Sequence, residues 1–391
     1  MNSEFKIKTG VRLPELDGLR GVAILMVVLH HYVAGQVKWD GVPAGAVFNA
    51  FSRLSWSGVD LFFVLSGFLI GGILLDQRRA ENYFKTFYVR RACRIFPLYF
   101  LWLLLFIGVN HFLPRASGPD WWTEIFAPRY PNWAYYVFAQ NFFVAQREIF
   151  GPLWLVPVWS LAVEEQFYLV APWLVRFLPA RKLPLVVLAI IAVVPLFRVF
   201  LYMFHPIVFA YVLLPCRADT LLLGVLCAGA VRNERARVWL EANRRWLYLA
   251  LAVLLAGTWY LSSPRVCSRT SFEMVFFGYS WLGLLFACIL LIVVTAKTSL
   301  IAGLMRVSWL RQLGIIAYGV FLMHLAVAGL AHGLILGRNL FIGNLIDGIV
   351  TFVAFLITLA LATLSWRWVE KPIVDWGHSF VYTTHDRRPV K

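Results

Sequence analysis

Long apolar runs alternate along the chain with short polar segments that are rich in arginine and lysine. Ten of these runs have the length of about 17–25 residues that an α-helix needs to cross the hydrocarbon core of a bilayer. The pattern predicts an all-α polytopic membrane protein with about ten transmembrane helices, at residues 16–34, 57–76, 94–112, 159–178, 184–203, 214–231, 246–263, 276–296, 312–336 and 345–368. Residues 132–147 are aromatic and half polar, which favours a re-entrant or interfacial segment over a span.

The composition supports this class, because 61% of the residues are hydrophobic and only 14% are charged. A net charge of +16 would also suit a nucleic-acid-binding protein. The basic residues, however, punctuate the apolar runs and form no stripe with stacking aromatic residues, so we expect no nucleic-acid partner. The five cysteines form no CxxC pair, so we expect neither a disulfide framework nor a metal site.

The basic residues also predict an orientation. If the N-terminus lies inside, 26 of the 36 lysines and arginines fall in cytoplasmic segments, as the positive-inside rule requires. An even number of spans then places both termini in the cytoplasm. We expect a multi-pass protein of the cell (inner or plasma) membrane, with one transmembrane domain at residues 1–375 and a short cytoplasmic tail at residues 376–391.

The first predicted span carries ionisable residues at both of its ends. Asp17 and Arg20 lie near its start, and His30 and His31 lie near its end. Ionisable groups are costly inside a membrane and by default mark a functional site. On a helix, Arg20 and His31 would differ in depth by about 16 Å, which suggests chemistry carried out across the bilayer. The two adjacent histidines would point about 100° apart, so both cannot face one pocket.

Arginines cluster at the predicted cytoplasmic surface before the third span. Arg91 and Arg94 are three residues apart and would share a helix face, with Arg20 at the same level of the membrane. Guanidinium groups bind phosphate in a bidentate geometry, so this cluster suits a polyphosphorylated cytosolic ligand. Positive-inside topology is the competing explanation of the same arginines.

Several spans bring titratable or polar groups into the outer half of the membrane. These groups are His31, Asp60, Ser66, Glu164, Glu165, Arg217 and Asp219. One interpretation is a functional site. The other is a buried ion-pair network formed by four of them, namely Asp60, Glu164, Arg217 and Asp219. His324 lies in the middle of the ninth predicted span, where a hydrogen-bonded core histidine is the expected role.

Three motifs occur in the order found in one known family. LDGLR, followed by ten residues and a histidine, matches an R-x10-H signature with Arg20 and His31 in those places. GVDLFFVLSGFLI matches a second-span pattern, and VRRACRIFPLY matches an arginine motif that contains Arg91 and Arg94. Through these motifs the chain resembles the acyltransferase-3 family of membrane-bound O-acyltransferases.

The resemblance extends over nearly the whole chain. WSLAVEEQFYLVAP matches an SLxVEExFYL element at Glu164 and Glu165, and RADTLLLG, AYGVFLMH and WRWVEKP match weaker later elements. We expect the stand-alone form, without the SGNH-hydrolase domain that some relatives carry. His30 departs from the family, in which this position is more often apolar or aromatic, and the spacing selects His31 as the histidine of the signature.

The resemblance implies an acyl-CoA donor, with acetyl-CoA as the default, and transfer of the acyl group to a hydroxyl. Arg20, Arg91 and Arg94 would hold the phosphates of CoA on the cytoplasmic side. The acceptor would be a carbohydrate or a glycosylated small molecule, reached from the outer side or within membrane lipid. The sequence leaves the identity of the acceptor open.

His31 can act as a general base that takes the proton of the attacking hydroxyl. A carboxylate on its other ring nitrogen would orient the imidazole, with Glu164 as the first candidate and Asp60 as the second. A route through an acylated His31 is equally compatible with the sequence. The remaining candidates for substrate binding and for stabilising the oxyanion are Ser66, Glu165, Arg217, Asp219 and His324.

Two other classes of protein compete with this interpretation. A transporter or flippase for a lipid-linked saccharide would also use charges within the membrane, but it predicts inverted repeats, which the sequence does not show. A sensor that binds CoA without chemistry would keep the arginines and would not need His31. Transfer or hydrolysis of labelled acetyl-CoA by the purified protein discriminates among the three.

Overall fold

A computed structural model describes residues 13–36, 46–112 and 119–383. Within these ranges the regular structure is helical and no strand occurs, which confirms the predicted all-α class. Lys6, Lys8 and Arg12, which were counted for the orientation, lie outside the described residues. Residues 384–391 of the predicted cytoplasmic tail lie outside them as well.

The described residues form nineteen α-helices and four shorter helical segments. The α-helices are α1 Pro14–Leu29, α2 Ala46–Leu54, α3 Gly58–Asp76, α4 Tyr83–Phe112, α5 Asp120–Phe126, α6 Asn132–Tyr136, α7 Gln140–Arg147, α8 Val158–Phe177, α9 Leu183–Phe204, α10 Phe209–Val212, α11 Leu214–Arg232, α12 Glu234–Ala242, α13 Arg244–Leu261, α14 Tyr279–Thr295, α15 Leu300–Met305, α16 Ser308–Ile315, α17 Ala317–Leu336, α18 Leu345–Ser365 and α19 Lys371–His378. His30–Ala34, Met274–Gly278 and Trp366–Glu370 are π-helical, and Ser55–Ser57 is a 3₁₀ turn.

Each of the ten predicted spans coincides with a helix, and eight helical stretches among the described residues are long and apolar enough to cross a membrane. The other two coincide with α8 and α13. These two helices are less apolar, because α8 contains Glu164 and Glu165 and α13 begins with Arg244 and Arg245. The count of ten spans therefore stays a prediction. The segment 132–147 forms α6 and α7, of 5 and 8 residues, which are too short to cross a bilayer.

The chain divides into two compact units that alternate along the sequence. Unit 1 is formed by the chain up to Ala23, by Ser57–Arg78 and by Gln166–Ile315. Its centre is the contact of α3 with α11, where backbones approach closely because glycines lie on both helices. A Cβ atom added at Gly67 would lie 1.8 Å from the carbonyl oxygen of Leu221, so no larger residue fits there without a shift. The α11 helix also packs against α9 and α14.

Unit 2 is formed by Ile24–Trp56, by Arg79–Glu165 and by the chain from Ile316 onward. Its α17 helix packs against α18 and against the short α5 helix. The last described residues are tied to the start of α4. Arg90 donates through Nε to the carbonyl oxygen of Phe380 at 2.9 Å, and the backbone N–H of Glu81 donates to Thr383 O at 3.0 Å.

Candidate active site

Two predicted site residues in unit 2, His31 and His324, form a direct histidine pair. His31 lies in the π-helical segment that follows α1, and His324 lies in the first half of α17. Nδ1 of His31 and Nε2 of His324 are 2.9 Å apart, which is a hydrogen-bond distance. His324 is fully buried, whereas His31 is partly exposed. The pair therefore joins a fully buried ring to the ring of a partly exposed residue.

His324 is held by its side chain and by its backbone. Its Nδ1 lies 2.8 Å from the carbonyl oxygen of Phe321 and 3.1 Å from that of Val320. The hydroxyl of Tyr32 donates to the carbonyl oxygen of His324 at 2.7 Å and lies 3.3 Å from Thr358 Oγ1. Its polar atoms are therefore hydrogen-bonded, as expected of a core histidine. The contact with His31 was not expected, because 293 residues separate the two positions.

The segment that carries His31 departs from a regular α-helix. His30–Ala34 is π-helical, and the N–H of Gly35 donates to the carbonyl oxygen of His30 at 2.9 Å, which closes the wider turn. Such single π-helical turns are frequent at functional sites. The rings of His30 and His31 lie 5.1 Å apart at an interplanar angle of 62°, so the two rings are in edge contact and not stacked. The predicted span 16–34 is therefore not one unbroken α-helix.

The arginines of α4 meet acidic and aromatic side chains. Arg94 Nη1 lies 3.7 Å from Oε2 of Glu370, and its guanidinium lies 5.0 Å from the centre of the Trp366 ring. Glu370 is 1% exposed, so this pairing is largely removed from water. Arg91 belongs to the same unit and is partly exposed. Glu370 belongs to the WRWVEKP element, but it was not among the predicted site residues. An acidic residue beside a long apolar run could have indicated a buried ion pair.

The two glutamates of α8 differ in burial. Glu164 is partly exposed. Glu165 is also partly exposed as a whole, but its Oε1 atom is buried and has no hydrogen-bond partner among the described residues. Both glutamates belong to unit 2 with His31. The orienting role expected of Glu164 stays a prediction.

The remaining charged candidates form ion pairs in unit 1. The guanidinium of Arg217 donates to Asp60, and Arg198 Nη1 donates to Asp219 Oδ2 at 2.8 Å. All four side chains are fully inaccessible to solvent. Ser280 also donates to Asp219, at 2.5 Å. The ion-pair interpretation named Asp60, Glu164, Arg217 and Asp219 as one network. Asp60 does pair with Arg217, but Asp219 pairs with Arg198, and Glu164 belongs to unit 2. Sequence reasoning missed Arg198, which stands alone in the apolar run of α9.

Two further candidates in unit 1 have close polar neighbours. Ser66 Oγ lies 2.6 Å from the hydroxyl of Tyr168 in a buried contact. Arg20 pairs with Asp17 one helical turn earlier, at 3.2 Å, and its side chain is 33% exposed. Of the three predicted phosphate-binding arginines, Arg20 belongs to unit 1, while Arg91 and Arg94 belong to unit 2.

The helices and the buried ionisable side chains together define a polytopic membrane protein with polar groups built into its apolar segments. The chain belongs to the acyltransferase family, because residues 13–367 match the acyltransferase domain. No solved structure matches the chain.

Relatives with names occur in several bacteria. A Bacillus subtilis protein, provisionally named peptidoglycan O-acetyltransferase YrhL, is 30% identical over 93% of this chain and 55% of its own length. The peptidoglycan O-acetyltransferase OatA of Listeria monocytogenes is 28% identical over 92% of this chain and 56% of its own length. A Staphylococcus aureus protein, provisionally named an O-acetyltransferase, is 26% identical over 94% of this chain and 59% of its own. The chain thus spans a little over half the length of these relatives.

Proposed function

We propose that this protein is an integral-membrane O-acetyltransferase that moves an acetyl group from acyl-CoA to a hydroxyl of a carbohydrate. The hydrogen bond between His31 and His324 is the observation that carries the proposal. A partly exposed imidazole whose one ring nitrogen is hydrogen-bonded to a buried group can act as a general base through its other ring nitrogen. The membership of the acyltransferase family supports this chemistry.

The proposed acceptor is a glycan of the bacterial cell envelope. Two of the named relatives carry peptidoglycan in their names, which makes peptidoglycan fragments the first acceptors to test. Those relatives are longer than this chain, so the acceptor of this protein needs its own measurement. The distribution of lysine and arginine supports a cytoplasmic N-terminus, and in that orientation the acceptor would be reached from the outer side of the membrane.

The proposed donor is acetyl-CoA from the cytoplasm. Arg91 and Arg94 lie near the start of α4, on the side of the membrane that the basic residues predict to be cytoplasmic. The phosphates of CoA would compete with Glu370 for Arg94, since the two are 3.7 Å apart and a dianionic phosphate is the stronger partner for a guanidinium. Arg20, the third arginine predicted from the sequence to bind phosphate, belongs to unit 1, where it pairs with Asp17.

In the proposed reaction the hydroxyl oxygen of the acceptor attacks the thioester carbonyl of acetyl-CoA. Nε2 of His31 takes the hydroxyl proton as the new C–O bond forms. The tetrahedral intermediate then expels the CoA thiolate, the C–S bond breaks, and the thiolate receives the proton from His31. The products are the O-acetylated glycan and CoA–SH, and His31 returns to its neutral state.

The test uses purified protein in lipid nanodiscs, [14C]acetyl-CoA and soluble peptidoglycan fragments. Transfer of label to the glycan, and its release as acetate by mild base, is the expected result, with His31→Gln inactive. His332→Gln is the matched control, since His332 is also fully buried in α17 and bonds to Thr351 instead. Movement of a lipid-linked saccharide across the bilayer, without any turnover of acetyl-CoA, would instead establish the flippase alternative.

A further inference from the structure

The hydrogen bonds of His324 determine which of its nitrogens carries the proton. Its Nδ1 faces two backbone carbonyl oxygens, at 2.8 and 3.1 Å. Carbonyl oxygens only accept hydrogen bonds, so Nδ1 must be the protonated nitrogen. The ring is fully buried, and an imidazolium there would carry a large desolvation cost. In the neutral ring, a proton on Nδ1 leaves Nε2 as an acceptor with a free lone pair.

This assignment fixes the state of His31. Nε2 of His324 and Nδ1 of His31 are 2.9 Å apart, and one of them must donate. Because Nε2 of His324 is the acceptor, Nδ1 of His31 is the donor and carries a hydrogen. Neutral His31 then has its lone pair on Nε2, the nitrogen on the opposite edge of its ring.

We propose that His324 is a positioning residue that holds His31 in the Nδ1–H tautomer and so makes Nε2 of His31 the basic atom. The inference rests on the proposed function, in which His31 takes the proton of the acceptor hydroxyl. His324 then orients the imidazole of His31, a role for which the sequence suggested a carboxylate. The difference is chemical, because a neutral imidazole orients its partner without adding a negative charge inside the membrane.

The surroundings of His324 suit a fixed acceptor. Tyr32, which neighbours His31 in the same π-helical segment, donates to the carbonyl oxygen of His324 at 2.7 Å. The two segments are therefore joined twice, once by the imidazole pair and once by the tyrosine. This second hydrogen bond restricts movement of one segment against the other. Nε2 of His324 is thereby kept at hydrogen-bond distance from Nδ1 of His31.

The tautomer can be measured directly. Protein labelled with 15N-histidine is studied by NMR in the wild type and in His31→Asn, which identifies the His31 resonances by their loss. The nitrogen shifts and the coupled ring protons show which nitrogen carries hydrogen. We expect Nδ1–H for His31 in the wild type and a mixture of tautomers in His324→Ala. A wild-type His31 in the Nε2–H form would overturn the inference, whatever the activity of the protein.

Kinetics provide the second measurement. We expect His324→Ala to lower kcat by about 10²-fold while the KM for acetyl-CoA changes little, since orientation of a base affects the transition state and not donor binding. His324→Gln, whose amide oxygen can accept from Nδ1 of His31, should recover most of that loss. His332→Ala controls for truncation of a buried histidine in the same helix.

The outcomes separate the two proposals. If His332→Ala lowers kcat as much as His324→Ala does, the effect is one of packing and the positioning role is rejected. If His324→Ala does not fold, the wild-type spectrum alone decides. If His31 shows the Nδ1–H form but no donor or acceptor gives turnover, the proposed transferase function fails while the assignment of the tautomer stands.

Discussion

A side chain inside an apolar helix has few polar neighbours, so each hydrogen bond it makes has a large effect on its chemistry. His31 and His324 illustrate this, because one nitrogen of each ring is committed to the other ring. The spacing of Arg20 and His31 was enough to select His31 from the sequence. It could not supply the partner, since a histidine 293 residues away has no periodic relation to the first span.

Replacing His31 tests the assignment of the base. We expect His31→Ala to lower acetyl transfer by about 10²–10⁴-fold, or more if an acyl-histidine forms, because no other group would accept the hydroxyl proton. His30→Ala should keep much of the activity, since the hydrogen bond that positions the proposed base is made by His31. Transfer is measured at matched membrane expression.

Binding of donor provides the control for these two variants. Acetyl-CoA should still bind to His31→Ala, because Arg91 and Arg94, which are proposed to hold it, lie on α4 and are unchanged. If His31→Ala is active and His30→Ala is inactive, the general base is His30 and not His31.

The ion pair of Asp60 with Arg217 offers a test of structure against catalysis. Asp60→Asn or Arg217→Met alone leaves one buried charge uncompensated and should lower the free energy of unfolding by about 3–5 kcal/mol. The double variant Asp60→Leu, Arg217→Met removes both charges and should recover most of that loss. Unfolding is followed by tryptophan fluorescence in detergent. A stable double variant that has lost acetyl transfer would show that Asp60 and Arg217 are needed for the reaction and not only for stability.

Removing the arginines of α4 tests donor binding. Arg91→Ala and Arg94→Ala should each weaken acetyl-CoA binding by about one to two decades, since a charge-assisted contact to phosphate is worth about 1.5–3 kcal/mol. Arg90→Ala is the matched control, because Arg90 is engaged with the carbonyl oxygen of Phe380. Binding is measured by calorimetry with acetyl-CoA and with its 3′-dephospho analogue. Equal affinity in all variants would show that these arginines serve topology alone.

At the scale of the helices, hydropathy located the elements but not their limits. Span 3 was predicted to begin at residue 94, yet α4 begins at Tyr83, because YFKTFYVRRACR contains good helix formers and no glycine or proline. A helix needs no hydrophobic environment to form, so charged residues extend it beyond the apolar run. Conversely, the predicted span 312–336 is interrupted at Ile316, between α16 and α17, within a sequence that reads as continuously apolar.

The approach of α3 and α11 depends on two glycines, which predicts a sharp contrast between variants. A Cβ atom at Gly224 would lie 2.1 Å from the carbonyl oxygen of Val64, so Gly224→Ala forces the helix backbones apart. We expect a loss of about 1–3 kcal/mol in the free energy of unfolding. Gly229→Ala, in the same helix, meets only Leu75 Cδ1 at 3.9 Å and should be neutral or slightly stabilising.

Thermal unfolding of the two variants in the same detergent provides the comparison. Equal melting temperatures for Gly224→Ala and Gly229→Ala would mean that α3 and α11 do not pack as described. The sequence could not predict this contact, because glycines at 67 and 224 belong to runs 157 residues apart and each run alone reads as an ordinary span.

Over the whole molecule, the sequence predicted the all-α fold class but not the grouping of the helices into units. Unit 1 and unit 2 each combine segments from distant parts of the chain. Within unit 1, helix ends that were predicted to share a side of the membrane do meet. Arg232, at the end of α11, pairs with Asp76, at the end of α3, at 2.7 Å. Arg306 pairs with Glu15 at 2.6 Å, which joins the start of α1 to the residue after α15. Which side is cytoplasmic stays a prediction.

Labelling of single cysteines tests the orientation. In a background with the five native cysteines replaced, Gln146→Cys should react with a membrane-impermeant thiol reagent on intact cells, and Glu234→Cys should be spared. Both side chains are exposed at the surface of the protein, so packing within the protein does not block the reagent. Permeabilised cells should label both cysteines. Labelling of Glu234→Cys alone on intact cells would invert the topology and reject a cytosolic donor site on α4.

The interleaved segments also set an order in which the protein can be completed during synthesis. The last segment of unit 1 ends at Ile315, so a ribosome has made every part of that unit before it begins the last segment of unit 2. At translation rates of about 5–20 residues per second, His324 follows His31 into the membrane after about 15–60 s. The bond that fixes His31 can form only after that delay. A ribosome that stalls near Ile315 would therefore leave an inserted chain with unit 1 fully synthesised and the imidazole pair still unmade.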